Sequence, residues 1–213
     1  MKIKYLAHSA FLITSDSGTR IVTDPYQTSE GLHYGVIKEK ADIVTVSHEH
    51  GDHNNVSAVQ GNPTLAKTST EVKSIKIKAV PAAHDDKGGS QRGKNTIFCF
   101  EVDGINVCHC GDLGHLLTAD QVKAIGKVDV LMIPVGGFFT IDAKTASKVC
   151  DQLKPGIIIP MHYKTEKMNF PIAGVDEFLK GKNNVTRVNG SEIEIKAGKL
   201  PAAAQIMVLK ASL

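Results

Sequence analysis

The chain contains no tryptophan, and aromatic residues make up only 5% of its 213 positions. A platform on which unpaired bases could stack is not evident. The formal charge is only +3, too small to hold nucleic acid by bulk electrostatics, so no nucleic-acid partner is expected. No apolar run approaches the roughly 18 residues that a membrane-crossing helix needs, and no membrane partner is expected. The opening stretch MKIKYLA reads as a strand and lacks the longer apolar segment of a signal peptide; a cytoplasmic location is the expectation. Cysteine is sparse: Cys99, Cys108, Cys110 and Cys150. None forms a CxxC pair, which argues against a zinc ribbon or a thioredoxin-type site. Buried thiols in a reducing compartment fit this usage. Cys108 and Cys110 lie two apart in an expected strand and should share a face.

What is present suits a soluble globular protein. Hydrophobic residues make up 42% and charged residues 22%, enough for a sizeable core. No low-complexity linker divides the chain, and it reads as one domain over 1–213. The N-terminal third predicts short strands at Lys2–Ala7, Phe11–Thr14 and Arg20–Thr23, with a turn at Asp16-Ser17-Gly18. Pro25 to Lys40 is polar and predicts a loop. Asp42–Ser47 is nearly all apolar, as in a strand buried on both faces. A short helix is expected within Asn54–Gln60, and a strand over Glu71–Val80. Thr96–Val102 and Ile105–Cys110 predict a hairpin around Asp103-Gly104. Later segments predict helices at Thr118–Gly126, Asp142–Leu153 and Gly174–Lys180, with Thr118 and Asp142 as N-caps. Buried strands are expected at Val128–Val135 and Ile157–Met161. Val185–Val188, Ile193–Ile195 and Ile206–Leu209 predict closing strands.

The chemistry concentrates in His48-Glu49-His50-Gly51-Asp52-His53. Neutral imidazole is the commonest zinc ligand, and carboxylate oxygen also suits that ion. A catalytic ion usually takes three protein ligands and keeps one position open. Three histidines and an aspartate within six residues exceed that need, which points to two ions. His84, Asp112 and His162 each follow an expected strand, as His48 does, so strands ending on a common edge can gather them.

HEHGDH resembles the HxHxDH signature of the metallo-β-lactamase superfamily. Pro81-Ala-Ala-His84, Gly111-Asp112 and Pro160-Met-His162 resemble its later motifs, in order, over almost the whole chain. His8-Ser9, Asp24-Pro25 and Ile133-Pro-Val-Gly-Gly137 are similar to the small stand-alone branch that includes ascorbate-6-phosphate lactonase and other metal-dependent hydrolases. The resemblance implies an α/β (α+β) fold: a four-layer αββα sandwich of two mixed β-sheets flanked by helices. It implies that His48, His50 and His84 hold one divalent ion, that Asp52, His53 and His162 hold a second, and that Asp112 bridges them. Asp52 and Asp112 are then the catalytic carboxylates, and a hydroxide between the ions is the nucleophile. Zinc suits so many histidines best; manganese or iron are also compatible.

Beside the ligands, His8 is a candidate lining residue, and Asp24 a candidate partner that orients a ligand imidazole. Asp85–Asn95 is Gly-rich and expected to be mobile. It carries Lys87, Arg92 and Lys94, and Lys164 follows His162 closely; together they predict a cationic rim for a small anionic substrate. His109 is expected to be structural, facing away from Cys108 and Cys110, and His33 and His115 receive no role. The expected reaction is hydrolysis of an ester, lactone or related bond. The alternatives are a phosphodiesterase or nuclease on the same centre, and a metal-dependent binding protein without turnover. Oxygen-reducing relatives carry Glu in place of the second signature His; His50 argues against that reading.

Overall fold

The computed structural model describes residues 1–213. In chain order the strands are β1 (Lys2–Ala7), β2 (Ala10–Thr14), β3 (Arg20–Thr23), β4 (Ile43–Thr45), β5 (Thr64–Ala66), β6 (Thr70–Val72), β7 (Ile75–Ala83), β8 (Lys94–Val102) and β9 (Ile105–His109). Helix α1 (Ala119–Ile125), β10 (Val130–Pro134), α2 (Ala143–Leu153), β11 (Ile157–Met161) and α3 (Val175–Leu179) follow, then β12 (Val185–Arg187), β13 (Glu192–Glu194) and β14 (Gln205–Val208). The strands form two mixed sheets, one of six strands in the order β13-β1-β2-β3-β4-β5 and one of eight in the order β12-β14-β11-β10-β9-β8-β7-β6. No helix is long and apolar enough to cross a membrane.

Side-chain alternation explains why the sheets stack. In β10, Val130 and Met132 face the layer between the sheets, where they share one core with Ile3, Phe11 and Ile43 of the first sheet. Leu131 and Ile133 face the opposite way and meet Ala146, Val149 and Leu153 of α2. A strand apolar on both faces therefore serves two cores, as the continuous hydrophobic run predicts. Each fully buried aliphatic side chain contributes about 1.5–3 kcal/mol. The α2 helix starts as expected, with the Asp142 carboxylate accepting the Thr145 N–H at 2.7 Å, and α1 carries a complete capping box between Thr118 and Gln121. Both caps satisfy backbone donors that the first helical turn leaves free.

Three details depart from the sequence expectation. Glu71–Val80 is not one strand, because Lys73 and Ser74 turn at φ 49° and 63° and split it into the hairpin β6–β7. The strand β5, exposed at Thr64 and Leu65, has too little apolar pattern to be read from sequence. The third is a matter of weight within the expected layering of two mixed sheets and flanking helices: the helices α1, α2 and α3 all contribute to the core of the second sheet. The outer face of the first sheet is covered by a single 3-10 turn, Val56–Ala58, and by irregular chain, with Tyr26, Leu32, Tyr34 and Ile37 in one core with Leu12, Val22 and Val44.

Candidate metal centre

Four strands deliver the site. His48 follows β4 by three residues, and His84 and His162 directly follow β7 and β11. Asp112 lies beyond the end of β9, across Gly111. The nitrogens of His48, His50 and His84 form one group whose ligand atoms all lie within 4.8 Å of one another; Asp52, His53 and His162, with His8, form a second. Asp112 touches both groups. Its Oδ2 lies 3.2 Å from His84 Nε2 and 3.2 Å from His162 Nε2, and its Oδ1 lies 3.3 Å from His53 Nε2.

Hydrogen bonds behind the site aim the rings. The buried Asp24 accepts the Ser47 N–H at 2.8 Å and the Ser47 hydroxyl at 2.5 Å. It also bonds His53 Nδ1 at 2.9 Å, while Ser47 Oγ lies 2.9 Å from His48 Nδ1. With Nδ1 engaged in both rings, Nε2 is turned to the centre, the usual consequence of a carboxylate or hydroxyl behind a ligand imidazole. Asp24→Ala is expected to weaken metal affinity about 10- to 100-fold while the fold persists. Titration with a chelating dye, read beside circular dichroism, checks it; unchanged affinity would remove Asp24 from the site.

The electrostatics call for cations. Burial works against the charge on Asp112, Asp52 and Asp24, yet neighbouring imidazoles hold all three carboxyls below the usual range. Burial, together with His53, pushes His48 down to about 3 and so keeps it neutral. Burial also disfavours a charged His53, but Asp112 and Asp52 outweigh it and raise its pKa. A charged His53 beside the buried Asp112 and Asp24 and the half-buried Asp52 leaves negative charge uncompensated, a costly state in a low dielectric. His53 Nε2 and Asp112 Oδ1 are buried without a hydrogen-bond partner. The donor set therefore fits divalent ions, whose charge would replace that missing compensation.

Backbone strain and close approach fix this geometry. His8, Asp24 and His162 sit at φ 56°, 41° and 50°, a left-handed region that costs a non-glycine residue about 1–3 kcal/mol. It is held by bonds such as His162 N–H to the His8 carbonyl at 3.0 Å. At Gly114 a Cβ would lie 2.2 Å from the Asp85 nitrogen and 2.3 Å from the His84 carbonyl carbon. Gly114→Ala must displace that ligand-bearing backbone. We expect a loss of about 1–3 kcal/mol by overpacking and reduced metal content. Thermal melting with elemental analysis tests it, and a wild-type result in both would show that the segment yields freely.

The structure brings all seven proposed ligands together and redistributes the other candidates. His8 does not line the cleft. It is fully buried, with Nε2 3.1 Å from Asp52 Oδ2, and stands behind Asp52, because the turn after β1 points inward. Lys87 is exposed and paired with Asp86, and Lys164 donates to the Phe170 carbonyl at 2.9 Å. Neither lines the cleft, whereas Arg92 does. The segment after His84 is also not loose. The Asp85 carboxylate accepts the N–H groups of Lys87, Gly89, Gln91 and Arg92 at 2.7–2.9 Å. His109 is structural, buried with Nε2 donating to the Ser9 carbonyl at 2.8 Å, while Cys108 and Cys110 face the helix-side core. His115 accepts the Ala83 N–H at 3.1 Å, and His33 contacts Asn169 at 3.1 Å.

Sequence reasoning missed Ser47, Asp85 and Asn95. Asn95 is buried, accepting the Asp112 N–H at 3.0 Å and donating to the Cys110 carbonyl at 2.9 Å. Ser47 and Asp85 had one available signal, their adjacency to His48 and His84 in the chain. The cleft above the site has a volume of about 690 Å³, with Gln27, Thr28, Ser29, Gln91, Phe139 and Phe170 on its walls. That size suits a small molecule.

Residues 2–162 match a family model described as a β-lactamase superfamily domain. A metal-dependent hydrolase of Thermococcus onnurineus is 30% identical over 84% of this chain and 91% of its own. One from Pyrococcus abyssi is 30% identical over 92% of this chain and all of its own. Among solved structures, a Thermotoga maritima protein described as a Zn-dependent hydrolase of the metallo-β-lactamase superfamily superposes with a TM-score of 0.80 at 39% identity, covering 98% of this chain and 97% of that one.

Proposed function

This chain belongs to the metallo-β-lactamase superfamily and is a metal-dependent hydrolase, and we propose that it works with two divalent ions on an ester or lactone bond of a small substrate. The observation that carries this reading is Asp112, whose two oxygens reach both histidine groups. In the proposed arrangement His48, His50 and His84 hold one ion, Asp52, His53 and His162 hold the other, and Asp112 serves both. Zinc suits the histidine-rich set. When bound, the pair of ions would polarise the substrate oxygen and lower the pKa of a water.

The protein's own residues do the rest. Ser47 and Asp24 fix the rings of His48 and His53, so little reorganisation remains at the moment of reaction. Asp52 lines the cleft, where its carboxylate can accept a hydrogen bond from the attacking water, and His8 holds it from behind. The test is a screen of lactones, carboxylic esters and phosphodiesters with metal-reconstituted protein. Turnover of an ester or lactone is expected. Preference for phosphodiesters would move the assignment to phosphodiester cleavage. Full loading with two ions and no turnover of any class would leave a metal-dependent binding protein.

A further inference from the structure

The chain has three arginines. Arg20 is paired with Glu39 at 2.9 Å, and Arg187 is paired with Asp176. Arg92 differs. It lines the cleft together with His50, His84, Asp52, Asp112 and His162, and no carboxylate lies within ion-pair distance of its guanidinium. The guanidinium carbon sits 5.7 Å from the centroid of the Phe139 ring. Phe139 in turn meets Phe170 edge-on at 5.8 Å, and both phenylalanines line the same cleft.

Stacking an arginine on a ring occupies its face and leaves the edge N–H donors free to fork onto a two-oxygen acceptor. Its backbone is fixed as well. The Arg92 N–H is held by Asp85 Oδ2 at 2.7 Å, and Asp85 follows His84 directly in sequence. The same segment closes on itself, with the His84 N–H donating to the Gly93 carbonyl at 3.0 Å. The cationic edge therefore stands at a set position relative to a metal-ligand histidine. A pre-set charged donor loses less entropy on binding than a solvated surface lysine.

We propose that Arg92 is the specificity-determining residue of the cleft, and that it anchors an oxyanion, carboxylate or phosphate, on a small ester or lactone whose scissile bond faces the histidine groups. The identity of the scissile bond rests on the hydrolase reading above; the anchor itself does not. Phe139 and Phe170 supply the apolar wall for the chain joining the anion to the reacting carbonyl. Lys87, outside the cleft, has no part in it.

The test uses three matched probes on the metal-loaded protein: monomethyl succinate, methyl 3-phosphonopropanoate and the neutral dimethyl succinate. Binding is measured by calorimetry and hydrolysis is followed separately. The wild type is expected to prefer one or both anionic probes over the neutral one by about 10- to 100-fold, the range for hydrogen bonds to a charged group. Which anion binds more tightly identifies the oxyanion. Arg92→Ala should lose that preference, Arg92→Lys should recover part of it, and Lys87→Ala should keep it whole. Equal binding of charged and neutral probes by the wild type, or binding of none, overturns the proposal. So does a preference that survives in Arg92→Ala, since the anion would then be held by the metal centre that both proteins share. An intact preference with no ester cleaved would leave the anchor standing and count against the hydrolase assignment alone.

Discussion

Replacing Asp112 with asparagine is expected to cut hydrolysis by about a thousandfold or more and to lower the metal content below two ions per chain. The carboxylate is the one side chain that reaches His84, His162 and His53 together, and in the proposed two-ion arrangement its charge would let the cations approach. Asparagine keeps the shape and one acceptor oxygen but removes that charge. Loss of a single pre-organised electrostatic group commonly costs 10²- to 10³-fold, and here metal affinity falls with it. His109→Gln is the matched control. His109 is buried nearby and donates to the Ser9 carbonyl, so its loss should lower stability and leave metal content intact. Elemental analysis and kcat/KM on the two variants settle the matter. An Asp112→Asn protein with full metal and wild-type rate would end the shared-ligand assignment.

The second large effect concerns the ions themselves. Full loading should bring close to two divalent ions per chain, about 3.5–4 Å apart as in two-metal sites generally. Because the ligands are gathered only in the folded chain, binding stabilises it: at a free concentration 1,000 times the dissociation constant the gain is about 4 kcal/mol per ion. For a chain of this length each kcal/mol moves the melting temperature by about 2–4 °C, so removing both ions with a chelator should lower it by roughly 16 °C or more. Asp52→Ala should halve both the stoichiometry and the stabilisation, since it opens the Asp52, His53 and His162 group and spares the other. A single ion at saturation, or a melting temperature indifferent to chelator, would refute the two-ion reading.

Much of this was legible in the sequence because it depends on local chemistry. HEHGDH is six consecutive residues, and no fold is needed to see an excess of candidate ligands there. The apolar runs before His84 and His162 announced strands, and Thr118 and Asp142 announced helix starts, because caps and alternation act within a few residues. The family resemblance then ordered His84, Asp112 and His162 into a single site.

What only the tertiary structure decided are contacts between residues far apart in the chain. Nothing near His8 tells that its ring meets Asp52, forty-four positions on; the sequence suggested a lining residue, and the inward turn after β1 made it a buried support. The charges of Lys87, Arg92 and Lys164 read alike in sequence. The Asp85 carboxylate, by taking four backbone N–H groups, folded that segment so that Arg92 alone lines the cleft. The irregular layer over the first sheet was equally hidden, because Leu32, Tyr34 and Ile37 follow no helical or strand period. Candidate ligands are a matter of residue type and can be read along a line, whereas their support and the access to the cleft are properties of burial and direction, which exist only once the sheets have packed.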